Sequence, residues 1–444
     1  MIFIHTRKEP ILPRLVWIFN PSQVGTRPTA GFPYSAISMK NKMKIKPFKI
    51  AGLCLVMISL INACAETKPV IAHKPKARMG HAHHQARGVI SLDVYQDGER
   101  THVLIGKQQH GKKTLWHQFS ENGGISWSEP VKILGQDDLS ITMGRGRDAQ
   151  ITAKGEDIFV AWTQYTDQNR FHTGPMQAAL SHDGGQSWQI TSAPPDWAPG
   201  PHGFIDLAAD RHGFRAVWLD SRDQGQQGLR YSRSNDDGRH WSVNRTLDKK
   251  SCSCCWNTMK TDSEGNSYIV YRDKKPSDMS IGVMDAHENW RYLGHVGDFG
   301  WQFDGCPHIG AGLDFENRQS GLRMHALVGT GMPDKAGIYY LYSDSRGQSW
   351  SPAKRLGDES ATHGDIAASD AGRVVAVWDM MSKKGLAIFM AESLDSGKTW
   401  SAAQQLSTPG QRASHPRIVH SANGFLAFWT EHQHHHSKLM MRRL

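Results

Sequence analysis

A segment of the form Ser-x-Asp-x-Gly-x-x-Trp returns along this chain at intervals of about 40 to 60 residues, the signature of an array or propeller of short strands. Its copies carry Ser120, Asn122, Gly124 and Trp127; Ser181, Asp183, Gly185 and Trp188; and Ser234, Asp236, Gly238 and Trp241. Further copies carry Ser343, Ser345, Gly347 and Trp350, and Ser393, Asp395, Gly397 and Trp400; a worn one runs from Asp285 to Trp290. The Asp or Asn side chain can accept hydrogen bonds from backbone N–H groups further on, and glycine takes positive φ at no steric cost. Each copy is therefore a self-closed turn between antiparallel strands, with the Trp laid over its neighbours.

Between the turns lie aromatic and β-branched runs, which are good strand formers. Examples are Ile158 to Trp162, Phe214 to Trp218, Tyr268 to Tyr271, Val374 to Trp378 and Phe425 to Trp429. Preceding strands begin near Ile90, Ile151, Ile205, Thr258, Ile309, Ile366 and Ile418, which makes seven units. The last unit ends at Leu444 after a third strand, so its fourth is expected from Pro69 to Ala72, closing the ring through the two termini.

The repeated turn is similar to the Asp-box, and the chain resembles the sialidase (neuraminidase) superfamily over nearly all of residues 87–444. The resemblance implies an all-β fold, a single β-propeller of four-stranded blades, with the boxes away from the catalytic face. Sialidases have six blades, so six is the alternative to seven. It also implies a catalytic set of three arginines for a carboxylate, an acid/base Asp and a Tyr nucleophile with a Glu partner. Arg87 sits where the family's first arginine would lie, but Ala86, Gly88 and Val89 around it lack the family's Ile-Pro. Arg147 and Arg417 would complete the triad, and Asp148 would be the acid; no Tyr/Glu pair falls into place.

The residues before the repeats follow another logic. Lys40, Lys42, Lys44, Lys46 and Lys49 precede an apolar run from Ile50 to Cys64, as in a secretory signal. That run is shorter than the roughly 20 residues needed to span a bilayer. Ile61, Asn62, Ala63 and Cys64 resemble a bacterial lipobox, which implies cleavage before Cys64 and lipidation of that cysteine. The expected organisation is an artefactual extension at 1–38, a lipoprotein signal at 39–63, the lipidated Cys64 with a tether at 64–86, and the propeller at 87–444. The expected location is the bacterial cell envelope, with the membrane as partner through the lipid. Net charge is +10, but residues 1–64 hold nine bases against one acid, and the rest carries 43 against 41. No clustered basic surface survives processing, which argues against a nucleic-acid partner.

Stepping back three residues from each inner-strand start gives Arg87, Asp148, His202, Cys255, Cys306, His363 and His415. Equivalent positions on inner strands form a ring at one mouth of a propeller channel, where ligands bind. Nearby loops are expected to add Arg145, Arg147, Asp206, Cys252, Cys254, His308, Asp365 and Arg417. Three readings follow. One is a sialidase-like glycoside hydrolase using Arg87, Arg147, Asp148 and Arg417 on sialic-acid or related glycans. The second is a copper or zinc centre drawn from His202, Cys252, Cys254, Cys255, Cys306, His308, His363 and His415, since thiolate and imidazole suit those ions. The third is a non-catalytic scaffold with structural disulfides such as Cys255 to Cys306, because export oxidises thiols; a redox-active pair is its variant. Two His clusters, His81, His83 and His84 and then His432, His434, His435 and His436, would hold at most a surface metal.

Overall fold

The computed structural model describes residues 87–444 except 170, 198, 199, 224, 434 and 435. The expected signal, Cys64, the Pro69 to Ala72 strand, the first His cluster and His434 and His435 lie outside the described residues.

The repeated turns close as their chemistry requires. In the second copy Ser181 Oγ accepts the Gly185 N–H at 2.9 Å and Asp183 Oδ1 accepts the Ser187 N–H at 2.9 Å. The copy at Ser393 repeats both bonds, to Gly397 at 2.9 Å and Thr399 at 2.8 Å. Even the worn copy keeps the Asn289 N–H on Asp285 Oδ1 at 2.8 Å. The turn glycine has a second duty, because it presses against the preceding repeat. A Cβ on Gly185 would come within 2.3 Å of His117, and one on Gly397 within 1.6 Å of the Tyr340 hydroxyl.

These turns link third to fourth strands in successive antiparallel meanders whose inner strands are Arg87–Asp97, Gln150–Lys154, His202–Asp210, Thr258–Thr261, Ala311–Arg318, Gly364–Ala368 and Arg412–Ser421. The last meander has three strands among the described residues, ending with His436–Arg443. Its His436 and Ser437 pair in parallel with Arg87 and Gly88, so the last meander and the first form one seven-stranded sheet.

The middle strands are apolar on both faces because each face meets a different neighbour. Ile158 and Val160 pack on Leu104 and Leu115 of the first meander, while Phe159 and Ala161 pack on Phe214 and Trp218 of the third. Val375 and Val377 likewise join Phe425 of the last meander, and Val374 and Trp378 join Leu327 of the fifth. Val103 and Ile105 against Leu426 and Phe428 make the junction of last meander to first.

The inner strands are tied to one another by carboxylates. Asp93 accepts the Ile151 N–H at 2.9 Å, Asp206 that of Met259 at 2.5 Å, Asp314 that of Ala368 at 2.9 Å and Asp365 that of Ile418 at 3.1 Å. Asp206, Asp365 and Arg417 are thus strand residues, not the loop residues expected from the sequence, and the two carboxylates staple one meander to the next. Arg417 and Lys260 supply the opposite charge, Lys260 lying 3.5 Å from Asp314. Burial still dominates: it pushes Asp93 up to about 6 against the pull of Arg417, and Asp206 up to about 7 with help from Asp93.

Candidate functional site

The loop before the fourth meander gathers three thiols. A bridge between Ser251 and Asp273 and the Cys252 N–H on Arg272 O at 2.9 Å fix its start, and the chain then turns sharply. The turn brings Cys252 Sγ to 3.7 Å from Cys254 Sγ and 3.5 Å from Cys255 Sγ. All three are buried, with Phe204 packed on them. Hydrogen bonding with Cys254 and Cys255 holds Cys252 below the usual thiol range, whereas burial pushes Cys255 above it.

A second arm meets this floor from Asp304 to His308. The donor atoms of Cys254, Cys306 and His308 lie within 4.8 Å of one another, as do those of Cys252, Cys254 and Cys255. Cys254 belongs to both groups. Cys306 and His308 are exposed, unlike the three sulfurs below. The four cysteines among the described residues are free, and the Cys255 to Cys306 bridge considered from the sequence is not formed; Cys254 is the thiol grouped with Cys306.

His363 and His415 form a separate group with Asp379. Their rings stack at 3.8 Å, and Trp256 covers both at 5.5 and 6.0 Å. Asp379, wholly buried, accepts from Thr362 Oγ1 at 2.7 Å and the His363 N–H at 3.0 Å on one oxygen. Its other oxygen meets His363 Nδ1 at 2.7 Å and accepts the His415 N–H at 2.9 Å. Burial would raise this carboxyl, but the charge and hydrogen bond of His363 hold it well below the usual range. Burial also drives His415 well below its ordinary value, helped by His363. A carboxylate on Nδ1 orients His363 as the outer partner of a metal-ligating imidazole does, leaving Nε2 as the donor. Asp379 and Trp256 were not singled out by the sequence reading, although each directly follows a residue that was, Trp378 and Cys255.

The expected ring therefore divides. His202 is buried apart from both groups, accepting the Met176 N–H at 3.0 Å and meeting Trp197 edge-on. Asp148 is bound by Arg145 at 2.7 Å, the Leu92 N–H at 2.8 Å and the Gly146 N–H at 3.0 Å. A carboxylate with its lone pairs so committed is poorly placed to carry a proton to a leaving group. The three arginines have different surroundings. Arg87 is exposed at the seam with His436, Arg147 donates to Thr173 at 3.2 Å, and Arg417 is enclosed by Asp93, Asp365, Asp148 and Asp206. Arg145, Asp148, His363, His415, Arg417 and Trp256 do line one narrow pocket together.

No family model matches the chain, and no curated protein matches it. Among solved structures, an ulvan lyase, a polysaccharide lyase bound to -[GlcA(1-4)Rha3S]-, matches with a TM-score of 0.53 at 9% identity, over 81% of this chain and 95% of that one. YCF48 bound to D1 peptide matches at 0.47 and 15% identity, over 81% and 94%. The Trypanosoma rangeli sialidase in complex with the inhibitor DANA matches at 0.45 and 9% identity, over 81% and 55%. The chain has an all-β propeller fold. At these identities the likeness is one of fold alone.

Proposed function

We propose that this is an envelope-anchored, sialidase-like propeller whose task is to hold a thiophilic metal ion, copper or zinc, through Cys252, Cys254 and Cys255. The observation that carries this reading is the spacing of the three buried sulfurs, 3.5 and 3.7 Å. With a Zn–S distance of about 2.3 Å, the edge of a tetrahedron of sulfurs is about 3.8 Å, so the trio needs little rearrangement to take an ion. A bound cation also offsets the cost of burying thiolate charge among the three sulfurs. Arg272, whose guanidinium is buried and bound to Ile309 O at 3.0 Å and Gly329 O at 2.8 Å, helps to balance the charge. The lipid anchor at Cys64 would place the site at the envelope surface.

The test is titration of the reduced chain with Zn(II) and with Cu(I), followed by the thiolate-to-metal absorption band. Saturation at about one ion per chain, with the band lost in Cys255→Ser, supports the reading. A featureless titration sends the cysteines back to a purely structural role.

A further inference from the structure

We infer that Cys306 and His308 form a capture arm that takes a soft cation from solvent and passes it to the buried thiol floor through Cys254. This rests on the metal-binding reading just proposed. Three features of the geometry point to it.

The first is the gradient of exposure across one shared ligand. Cys252, Cys254 and Cys255 are at most 8% exposed, so an ion reaching the floor must arrive already attached to something. Cys306 and His308 are exposed, and their donor atoms lie within 4.8 Å of the Cys254 sulfur. Cys254 is thus within reach of an ion on the arm and of an ion on the floor, as stepwise ligand exchange requires.

The second is how the arm is mounted. Asp278 pins its base by accepting the N–H groups of Phe299 at 3.1 Å, Gly300 at 2.7 Å and Trp301 at 3.2 Å. Arg272 pins its far end through Ile309 O at 3.0 Å. Between these anchors, no hydrogen bond among the described residues ties Asp304, Gly305, Cys306 or Pro307. A short tip between fixed ends can move by an ångström or two without disturbing the sheet.

The third is donor chemistry. A thiolate beside an imidazole is a harder donor set, and for a soft ion a weaker trap, than three thiolates, so the downhill direction for Cu(I) is inward. In the exchange the ion first bonds to His308 and to Cys306 Sγ, whose thiol proton goes to water, then gains Cys254 Sγ as that thiol gives its proton to water. The bonds to Cys306 and His308 break as those to Cys252 Sγ and Cys255 Sγ form, the remaining floor protons also going to water. The Cys306 thiolate takes a proton back, and the oxidation state of the ion does not change.

The experiment mixes the reduced, metal-free full chain with Cu(I) supplied as its bicinchoninate complex in a stopped-flow instrument. Release is then followed by an excess of bathocuproine disulfonate. Cys306→Ser with His308→Ala is expected to slow loading and release together, each by tenfold or more, because an exchange step common to both directions has been lost. The two single variants, changed at exposed positions, are expected to fall between. Loading as fast as in the native chain overturns the inference, and so does faster release with native loading, which would make the pair resident ligands. Failure of the native chain to take copper would instead overturn the metal reading beneath it.

Discussion

Replacement of Asp379 by Asn tests whether the histidine pair is held by a buried charge. Each carboxylate oxygen serves two donors: Thr362 Oγ1 and the His363 N–H on one, His363 Nδ1 and the His415 N–H on the other. An amide keeps one oxygen. Whichever way it sits, the hydroxyl or the imidazole can switch role, but one backbone N–H then faces an NH₂ group. An orphaned buried N–H costs about 1 to 3 kcal/mol, and the surviving bonds lose their charge assistance. The sum is about 3 kcal/mol, inside the range of about 3 to 5 kcal/mol for breaking a buried ion pair from one side. With a urea m-value of about 3 kcal/mol/M, the midpoint should fall by about 1 M. Asp137→Asn is the control, since Asp137 is exposed and meets Lys132 at 2.9 Å on the surface; its cost should be marginal. Asp379 is held below its ordinary 3.8, so its contribution is complete above that value and is lost as the pH falls further. The gap between native and variant should therefore be flat from pH 8 to 5 and close only in stronger acid. Equal, small losses for both variants would show that the carboxylate does not hold the site.

Two other outcomes are expected. Gly397→Ala should cost at least 2 kcal/mol more than Gly410→Ala by thermal or urea unfolding: both have φ near +85°, but only at Gly397 does a Cβ meet Tyr340, while Gly410 faces open space. Similar losses would mean that the turn does not pack on the preceding repeat. His102 and His117 are buried, with His102 Nδ1 3.0 Å from His117 Nε2, and burial lowers them from 6.5 to about 3 and about 4. Groups kept neutral in the fold cost stability as the pH drops below 6.5, so His117→Gln should lose about 2 kcal/mol less than the native chain between pH 7 and 5. Equal acid losses would refute this, and the comparison is made against the variant because Asp93 and Asp206, raised in the fold, change stability in the opposite sense.

Much of the architecture was legible because its determinants are local. A Ser, an Asp and a Gly within five residues close a turn whatever surrounds them, and the strands read as apolar runs because both faces are covered. The site was legible only in part. Placing one residue per repeat on a single ring assumes that every inner strand enters the channel alike, yet bulges between Gly203 and Asp206 and between Ser414 and Arg417 shift the register locally. His202 and His415, equivalent by counting, consequently have unrelated surroundings. Asp379 escaped notice for another reason: it continues an apolar strand, and three of the groups it binds come from 16 or 36 residues away. The convergence of Cys252, Cys254 and Cys255 follows from one turn and could be read from their spacing; the approach of Cys306 and His308, set by a loop anchored at Asp278 and Arg272, could be expected only as neighbours across a repeat boundary.

The most direct test of the central claim is the copper and zinc content of the untagged chain, purified from an export compartment without chelators, beside its Cys255→Ser variant. The account predicts about one ion per chain, absent from the variant. Metal-free protein, or equal metal in both, would contradict it.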